Sequence, residues 1–358
     1  MGCIPSTARL ARGRSKDDLI VSGYSPRAIL ESPVEDATFT KRFSLFTLLR
    51  PIQSTFLDVD EPSLPEALKP LAGQRELDVE DVMIIRSIFT STDTGEDFLL
   101  GHYNHHPVLV KRLHENSDKD LTKEIITLAK LHHPNIVSFI GFYAIDGVGL
   151  HCVTEFVEGH SLRETLENTQ VKLTWESDKL AIALNIARAI AYLHAFKPPI
   201  IHRDIQAKSV LLAMNGTAKL TNFGSARERT FDVMMSHRGV GTLEWTAPEV
   251  LYGDDYNESI DVYSFGVVLI ELDTRTTPFA GHTQSLHSTE LMNQLKTGKL
   301  RPQVSASCPK EIARIARACL QHDPANRPKS SQVVAHLENA LATQQENMYM
   351  DAAIFDFK

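Results

Sequence analysis

Cysteine, tryptophan and long apolar runs are all scarce in this chain. Its four cysteines, Cys3, Cys152, Cys308 and Cys319, are spread through 358 residues. No pair has metal-ligand spacing, and no disulfide framework is implied. That usage suits a reducing, cytosolic setting. No apolar run approaches the ~20 residues needed to span a bilayer. Arg9, Arg12 and Arg14 interrupt the stretch where a secretory h-region would lie. Positive charge is short as well: the formal net charge is −8, which argues against a general nucleic-acid binder. Internal repeats and low-complexity tracts are absent. What is present is a hydrophobic fraction of 42%, enough to bury a substantial core in a chain long enough for two lobes and a tail.

The first residues, Met1-Gly2-Cys3-Ile4-Pro5-Ser6, match M-G-x-x-x-[ST], the pattern for myristoylation of Gly2. A single myristoyl chain binds membrane weakly, with K on the order of 10⁴ M⁻¹, so stable anchoring takes a second signal. Two are at hand: a palmitoyl group on Cys3, and the cluster Arg9, Arg12, Arg14 and Lys16. Each basic residue near an anionic leaflet adds about 1 kcal/mol. The expected location is the cytoplasmic face of a membrane, the plasma membrane above all. Residues 17–75 are proline-rich with little periodicity, so 1–76 are expected to form an acylated, mostly irregular tether. The apolar stretch Phe43–Leu49 within it is expected to pack on its own folded domain.

From about residue 77 the pattern changes. Val82–Phe89, Phe98–Tyr103, Val108–Leu113, Ile136–Ile145 and Leu150–Val157 are β-branched or aromatic runs separated by polar or glycine-containing breaks, the signature of strands. Between the third and fourth, Leu121, Ile125, Leu128 and Leu131 recur at helical spacing over Asp118–Leu131. After Gly159 helices dominate. Leu180, Ala183, Leu184, Ala187, Ile190 and Ala191 make one helix face, with Thr174 as its N-cap. Val262–Leu272 is apolar nearly all round and predicts a buried central helix. Ile312, Ile315 and Cys319, then Val334, Leu337 and Leu341, mark two later amphipathic helices. The expected organisation is a domain over 77–342 and a tail over 343–358.

Motifs fall on this frame in a fixed order. His202-Arg203-Asp204-Ile205-Gln206-Ala207-Lys208-Ser209 and Asn222-Phe223-Gly224 follow the long helix. Val108-Leu109-Val110-Lys111 lies on the third strand, Glu124 on the helix after it, and His133-Pro134-Asn135-Ile136-Val137 beyond. Gly241-Thr242-Leu243-Glu244-Trp245-Thr246-Ala247-Pro248-Glu249, Asp261-Val262-Tyr263-Ser264-Phe265-Gly266 and Arg327-Pro328 complete the set. Singly these are weak signals. Lys111 and Glu124 alone would pass for a surface pair worth under ~1 kcal/mol. The paired histidines His105-His106 and His132-His133 alone would pass for metal ligands.

Together the motifs resemble the protein kinase superfamily over roughly residues 77–342. Their style resembles the tyrosine-kinase-like branch, which mostly modifies Ser and Thr. The resemblance implies an α+β fold of two lobes, a small β-rich N-lobe and a larger helical C-lobe. It makes Asp204 the catalytic base, Lys111 the holder of nucleotide phosphates and Glu124 the holder of Lys111. Leu109, Thr154, Glu155, Phe156 and Leu211 stand with them as nucleotide contacts, and Arg327 is expected to pair with Glu249. His202, Phe223, Leu128 and Asp261 match the internal stack that aligns the lobes. Arg203 is retained, as in kinases whose activation segment is ordered by a phosphate, and Thr230, Ser236 and Thr242 are candidate acceptors. The histidine pairs become turn residues.

The departures lie where charge is handled. Asn222 replaces the turn carboxylate and Ser209 the loop amide that together hold magnesium, which leaves a weak hard-cation site. Ser91, Asp93 and Glu96 stand at the three glycines of the phosphate-covering loop, with Gly95 offset, so two carboxylates face the phosphates. Leu109 and Phe98 are larger than the usual residues of the adenine slot. Gln206 replaces the loop lysine, and Lys208 is placed to restore its charge. ATP is the implied cofactor, with magnesium held weakly or not at all. Two functions follow from the resemblance. One is a membrane-anchored pseudokinase that works in signal transduction by binding protein partners. The other is an active Ser/Thr protein kinase with unusual metal use and protein substrates. Neither has a nucleic-acid partner.

Overall fold

The computed structural model describes residues 64–355, apart from 92–94, 114–117, 229–239 and 281–286. The elements in chain order begin with helix α1 (Lys69–Arg75), strands β1 (Val82–Ser91), β2 (Glu96–Tyr103) and β3 (His106–Leu113), helix α2 (Asp118–Leu128), and strands β4 (Phe139–Ile145) and β5 (Gly149–Glu155). The larger lobe follows with β6 (Gly159–Ser161), α3 (Leu162–Glu167), α4 (Leu180–His194), β7 (Ile200–Ile201), β8 (Val210–Ala213), β9 (Ala218–Leu220) and β10 (Arg227–Glu228). Helices α5 (Pro248–Tyr252), α6 (Ser259–Thr274), α7 (Ser288–Lys296), α8 (Lys310–Cys319) and α9 (Ser330–Phe355) complete it.

The small lobe is an antiparallel sheet in the order β1-β2-β3-β5-β4. Strand alternation divides β3 between two environments. Val108 and Val110 join Val82, Tyr143 and Val153 in a small cluster on one face. Leu109 and Lys111 lie on the other, where Lys111 is opposite Phe98 and Cys152. Helix α2 covers that second face by burying Leu121, Ile125 and Leu128. In the large lobe α6 is buried on every side from Ile260 to Leu272 except at Ser264. Its Gly266 lets α8 approach closely, since a Cβ there would lie 2.8 Å from Cys319 Cβ. Arg327 and Glu249 form a buried two-armed pair at 2.6 and 2.7 Å.

Several boundaries differ from the sequence expectation. The fourth strand starts at Phe139 because Asn135 and Val137 already pair with Leu220 at the edge of the large lobe, at 2.8 and 3.0 Å. Likewise the fifth ends at Glu155, and α2 ends at Leu128, followed by tight turns to Leu131. Thr174 caps a wide turn over Trp175–Lys179 that leads into α4, rather than capping α4 itself. The expected tail boundary at 343 falls inside α9.

The largest correction concerns the tether. Among its described residues, Glu66–Leu68 form a 3₁₀ turn and Lys69–Arg75 form α1. Pro70 lies in the first turn of α1, where a missing N–H costs nothing. Leu68 is fully buried in the main core together with Leu121 and Ile125. Leu77 N–H then bonds Phe142 O at 2.8 Å. Gly141 permits this approach, because a Cβ there would sit 2.4 Å from Arg75 O. Residues 1–63, with the lipidation candidates Gly2 and Cys3, lie outside the described residues.

Leu68→Ala should therefore lower the unfolding free energy by about 2–4 kcal/mol in urea titration. A loss under about 0.5 kcal/mol, ordinary for a surface site, would return these residues to the tether.

Candidate active site

The loop that carries Asp204 follows β7 and is held from beneath by α6. Asp261 Oδ2 accepts the His202 N–H at 2.8 Å, and Oδ1 accepts the Arg203 N–H at 2.9 Å. Burial raises the Asp261 carboxyl, but the hydrogen bond and charge of His194 outweigh it and hold the group below the usual range. Further along α6, Glu271 accepts the Ala207 N–H at 3.1 Å, Trp245 Nε1–H at 2.7 Å and Arg163 Nη1–H at 3.2 Å. Burial raises Glu271 to about 7 against the pull of those donors. Sequence reasoning missed Glu271, although an acid inside Val267-Val268-Leu269-Ile270-Glu271-Leu272 is a visible signal of a partnered buried charge.

His202 packs edge-on to Phe223 at 4.9 Å, and Leu128 is buried in the same core. His202 also bonds Thr221 O at 2.9 Å. Asn222 sits at φ 66°, ψ 60°, a left-handed conformation that Asn adopts more readily than most residues.

Three neutral side chains converge on Asp204. Gln206 Nε2 donates to Oδ1 at 2.5 Å, Asn222 Nδ2 to Oδ2 at 2.6 Å and Ser209 Oγ to Oδ2 at 3.2 Å. Burial pushes the Asp204 carboxyl above its ordinary range, while His202 and the bonds from Gln206 and Ser209 pull it back. Ser209 and Asn222, which stand at the metal-holding positions, thus join Gln206 in one network on Asp204. A carboxylate at 222, so close to Asp204, would need a cation between the two; the amide closes the same gap with a hydrogen bond. Among the described residues no group of three His, Cys, Asp or Glu side chains is placed to hold a metal. The donor set here has one carboxylate, already occupied, and does not match a hard-cation site built from a turn carboxylate and a loop amide oxygen. Lys208, expected to restore charge beside Asp204, is exposed and makes no hydrogen bond or ion pair with it. Its charge reaches the carboxyl only at a distance.

On the small lobe, Lys111 Nζ lies 2.9 Å from Glu124 Oε2 and 2.7 Å from Glu96 Oε1. The Phe98 ring is 5.6 Å from the same ammonium. Although burial disfavours the charge, the two carboxylates hold the Lys111 value well above the usual lysine range. Gly224 lies alongside, where a Cβ would be 3.4 Å from Glu124 Oε2 and 3.7 Å from Lys111 Nζ. The contact with Glu96 was not expected. Its signal lies in the register: Glu96 is two residues from Phe98, the partner of Lys111, and so on the same sheet face.

The remaining nucleotide candidates line the join between the lobes. Leu109 is opposite Leu100 and Thr154. Glu155 Oε1 accepts from Ser138 N–H and Lys219 Nζ, both at 2.7 Å, and Phe156 N–H bonds Pro107 O at 3.3 Å. Leu211 lies on β8 against the main core. Arg203 stacks over Tyr256 at 5.7 Å. Asp93, Thr230 and Ser236 lie outside the described residues; Thr242 lies in a 3₁₀ turn over Val240–Trp245. Of the histidines, His105 occupies a left-handed turn and His133 stacks on Tyr192 at 4.9 Å.

This arrangement agrees with comparisons to known proteins. A family described as protein tyrosine and serine/threonine kinase matches residues 89–337. A serine/threonine-protein kinase/receptor of Acanthamoeba polyphaga mimivirus is 35% identical over 224 residues, covering 63% of this chain and 13% of the relative. A serine/threonine-protein kinase of Dictyostelium discoideum is 33% identical over 243 residues, 67% of this chain and 39% of the relative. The RasGEF domain-containing serine/threonine-protein kinase X of the same organism is 34% identical over 236 residues, 64% of this chain and 24% of the relative. The chain thus spans well under half the length of these relatives.

Removing the Glu271 carboxylate would leave two buried donors, from Ala207 and Arg163, and the half-buried Trp245 Nε1–H unmatched. Glu271→Ala is expected to cost about 3 kcal/mol or more in chemical denaturation. A cost below about 1 kcal/mol would show that α6 does not hold the catalytic loop through this residue.

Proposed function

Because the chain belongs to the protein tyrosine and serine/threonine kinase family, we propose that it is a kinase-like signalling protein with impaired phosphate transfer. It belongs to the tyrosine-kinase-like branch and acts by binding other proteins. The observation that carries this proposal is the closure of Asp204 by Gln206, Ser209 and Asn222. Phosphoryl transfer relies on positioning and on charge neutralisation by metal ions. Here the side chains at the metal positions spend their polar groups on the carboxylate itself. ATP is the family's nucleotide, and magnesium is held weakly at best. Protein partners, rather than nucleic acid, suit the acidic chain. Acylation of Gly2 and Cys3 places it on the cytoplasmic face of the plasma membrane.

One arrangement favours the second function, an active Ser/Thr kinase. Lys111 and Glu124 are paired at 2.9 Å, and Asp204 is present on an ordered loop. The tests separate the two. The natural chain should transfer phosphate to a protein acceptor at least about a hundredfold more slowly than the double variant Asn222→Asp, Ser209→Asn. Magnesium-dependent transfer by the natural chain, abolished by Asp204→Ala, would establish the active kinase instead. For the anchor, Gly2→Ala should move the protein from the membrane to the soluble fraction; unchanged membrane association would refute acylation.

A further inference from the structure

The cage around Lys111 has a consequence for what the cleft can bind. The ammonium that would meet nucleotide phosphates is enclosed by Glu124 at 2.9 Å, Glu96 at 2.7 Å and the Phe98 ring at 5.6 Å. Glu124 comes from α2, as the kinase arrangement requires. Glu96 comes from the start of β2, the strand that leads away from the phosphate-covering loop. It shares the cleft-facing side of the sheet with Phe98, Leu109 and Lys111. Its side chain is about three-quarters buried, at 24% exposure, and that of Lys111 is at 9%. Glu96 is therefore a fixed partner of the lysine, unlike a solvated surface charge.

We propose that Glu96 is a specificity-determining residue of this cleft: its carboxylate occupies the phosphate-binding face of Lys111 and excludes polyphosphate ligands. The proposal rests on the impaired-kinase function above and deepens it. Two carboxylates share one ammonium, so the side of Lys111 that would face phosphate is already held by an acid. Asp204 adds another carboxylate across the cleft, and its donors are all neutral. A triphosphate entering here would have to displace Glu96 or approach it with like charge in a partly desolvated site. Adenosine carries the same base and ribose without that conflict.

The test is titration calorimetry of the full chain and of Glu96→Gln and Glu96→Gly, with ATP and adenosine, each with and without magnesium. Neutralising Glu96 should tighten ATP binding by about tenfold or more and leave adenosine within about threefold. ATP affinity unchanged within about threefold in both variants overturns the proposal, whatever adenosine does. A second readout needs no ligand. Acylation of Lys111 by a succinimidyl ester, followed by peptide mass spectrometry, should run faster in both variants than in the natural chain. Equal labelling overturns the proposal too, since Glu96 would then not restrain the lysine. Failure here differs from failure of the proposed function, which is decided by phosphate transfer from the natural chain. A variant can gain ATP affinity with no transfer at all.

Discussion

Helix α6 is the constraint on which the catalytic loop depends. It carries two buried carboxylates, Asp261 and Glu271, about 15 Å apart along the helix by its rise per residue. Asp261 accepts the backbone N–H groups of His202 and Arg203, and Glu271 accepts that of Ala207. The loop is thereby fixed through its main chain at both ends. A carboxylate buried in an apolar helix is costly unless fully hydrogen-bonded, so helix and loop stabilise one another. Trp245 and Arg163 join the same acid at Glu271, which ties the end of the activation segment and α3 to it.

Holding the loop by its backbone separates shape from chemistry. Side chains at 206, 209 and 222 act on the Asp204 carboxylate, while Asp261 and Glu271 hold the loop by its backbone. In this chain all three have become neutral donors to that one carboxylate. On the opposite lobe Lys111 has acquired a second carboxylate in Glu96. Both halves of the cleft are thus satisfied from within: the anion by protein amides and a hydroxyl, the cation by protein acids. Lys111 and Asp204, the positions that meet phosphate and metal in this family, are partnered here by the protein's own side chains. The kinase shape persists, with His202 on Phe223 and Lys111 on Glu124, and it is this shape that a protein partner would meet.

Much of the frame was legible in the chain. The strands of the small lobe announced themselves as β-branched runs, and α6 as a run apolar on every side. The motif residues also fell on the elements that their spacing required. Legibility ended where a signal was local in sequence but its cause was distant in space. The prolines before residue 76 suggested an irregular tether, yet Pro70 opens a helix and Leu68 reaches the core. The strand after His133 was expected too early because Ile136 and Val137 look β-forming; they are, but their partner Leu220 belongs to the other lobe.

By itself the sequence determined the lobes, the order of the motifs and the identity of every substituted position in the cleft, since hydrophobic period and residue type are properties of the chain alone. It read Ser209, Asn222 and Glu96 as parts of one loss of magnesium and phosphate handling, and Gln206 as a replaced lysine, and assigned none of them a partner. The tertiary structure decided that three of them close on Asp204 and that the fourth turns to Lys111. Hydrogen bonds and ion pairs depend on distances of about 3 Å. Between residues as far apart as Asp204 and Asn222, or Glu96 and Lys111, such distances are set only when sheet register, the left-handed turn at Asn222 and the anchoring by α6 come together.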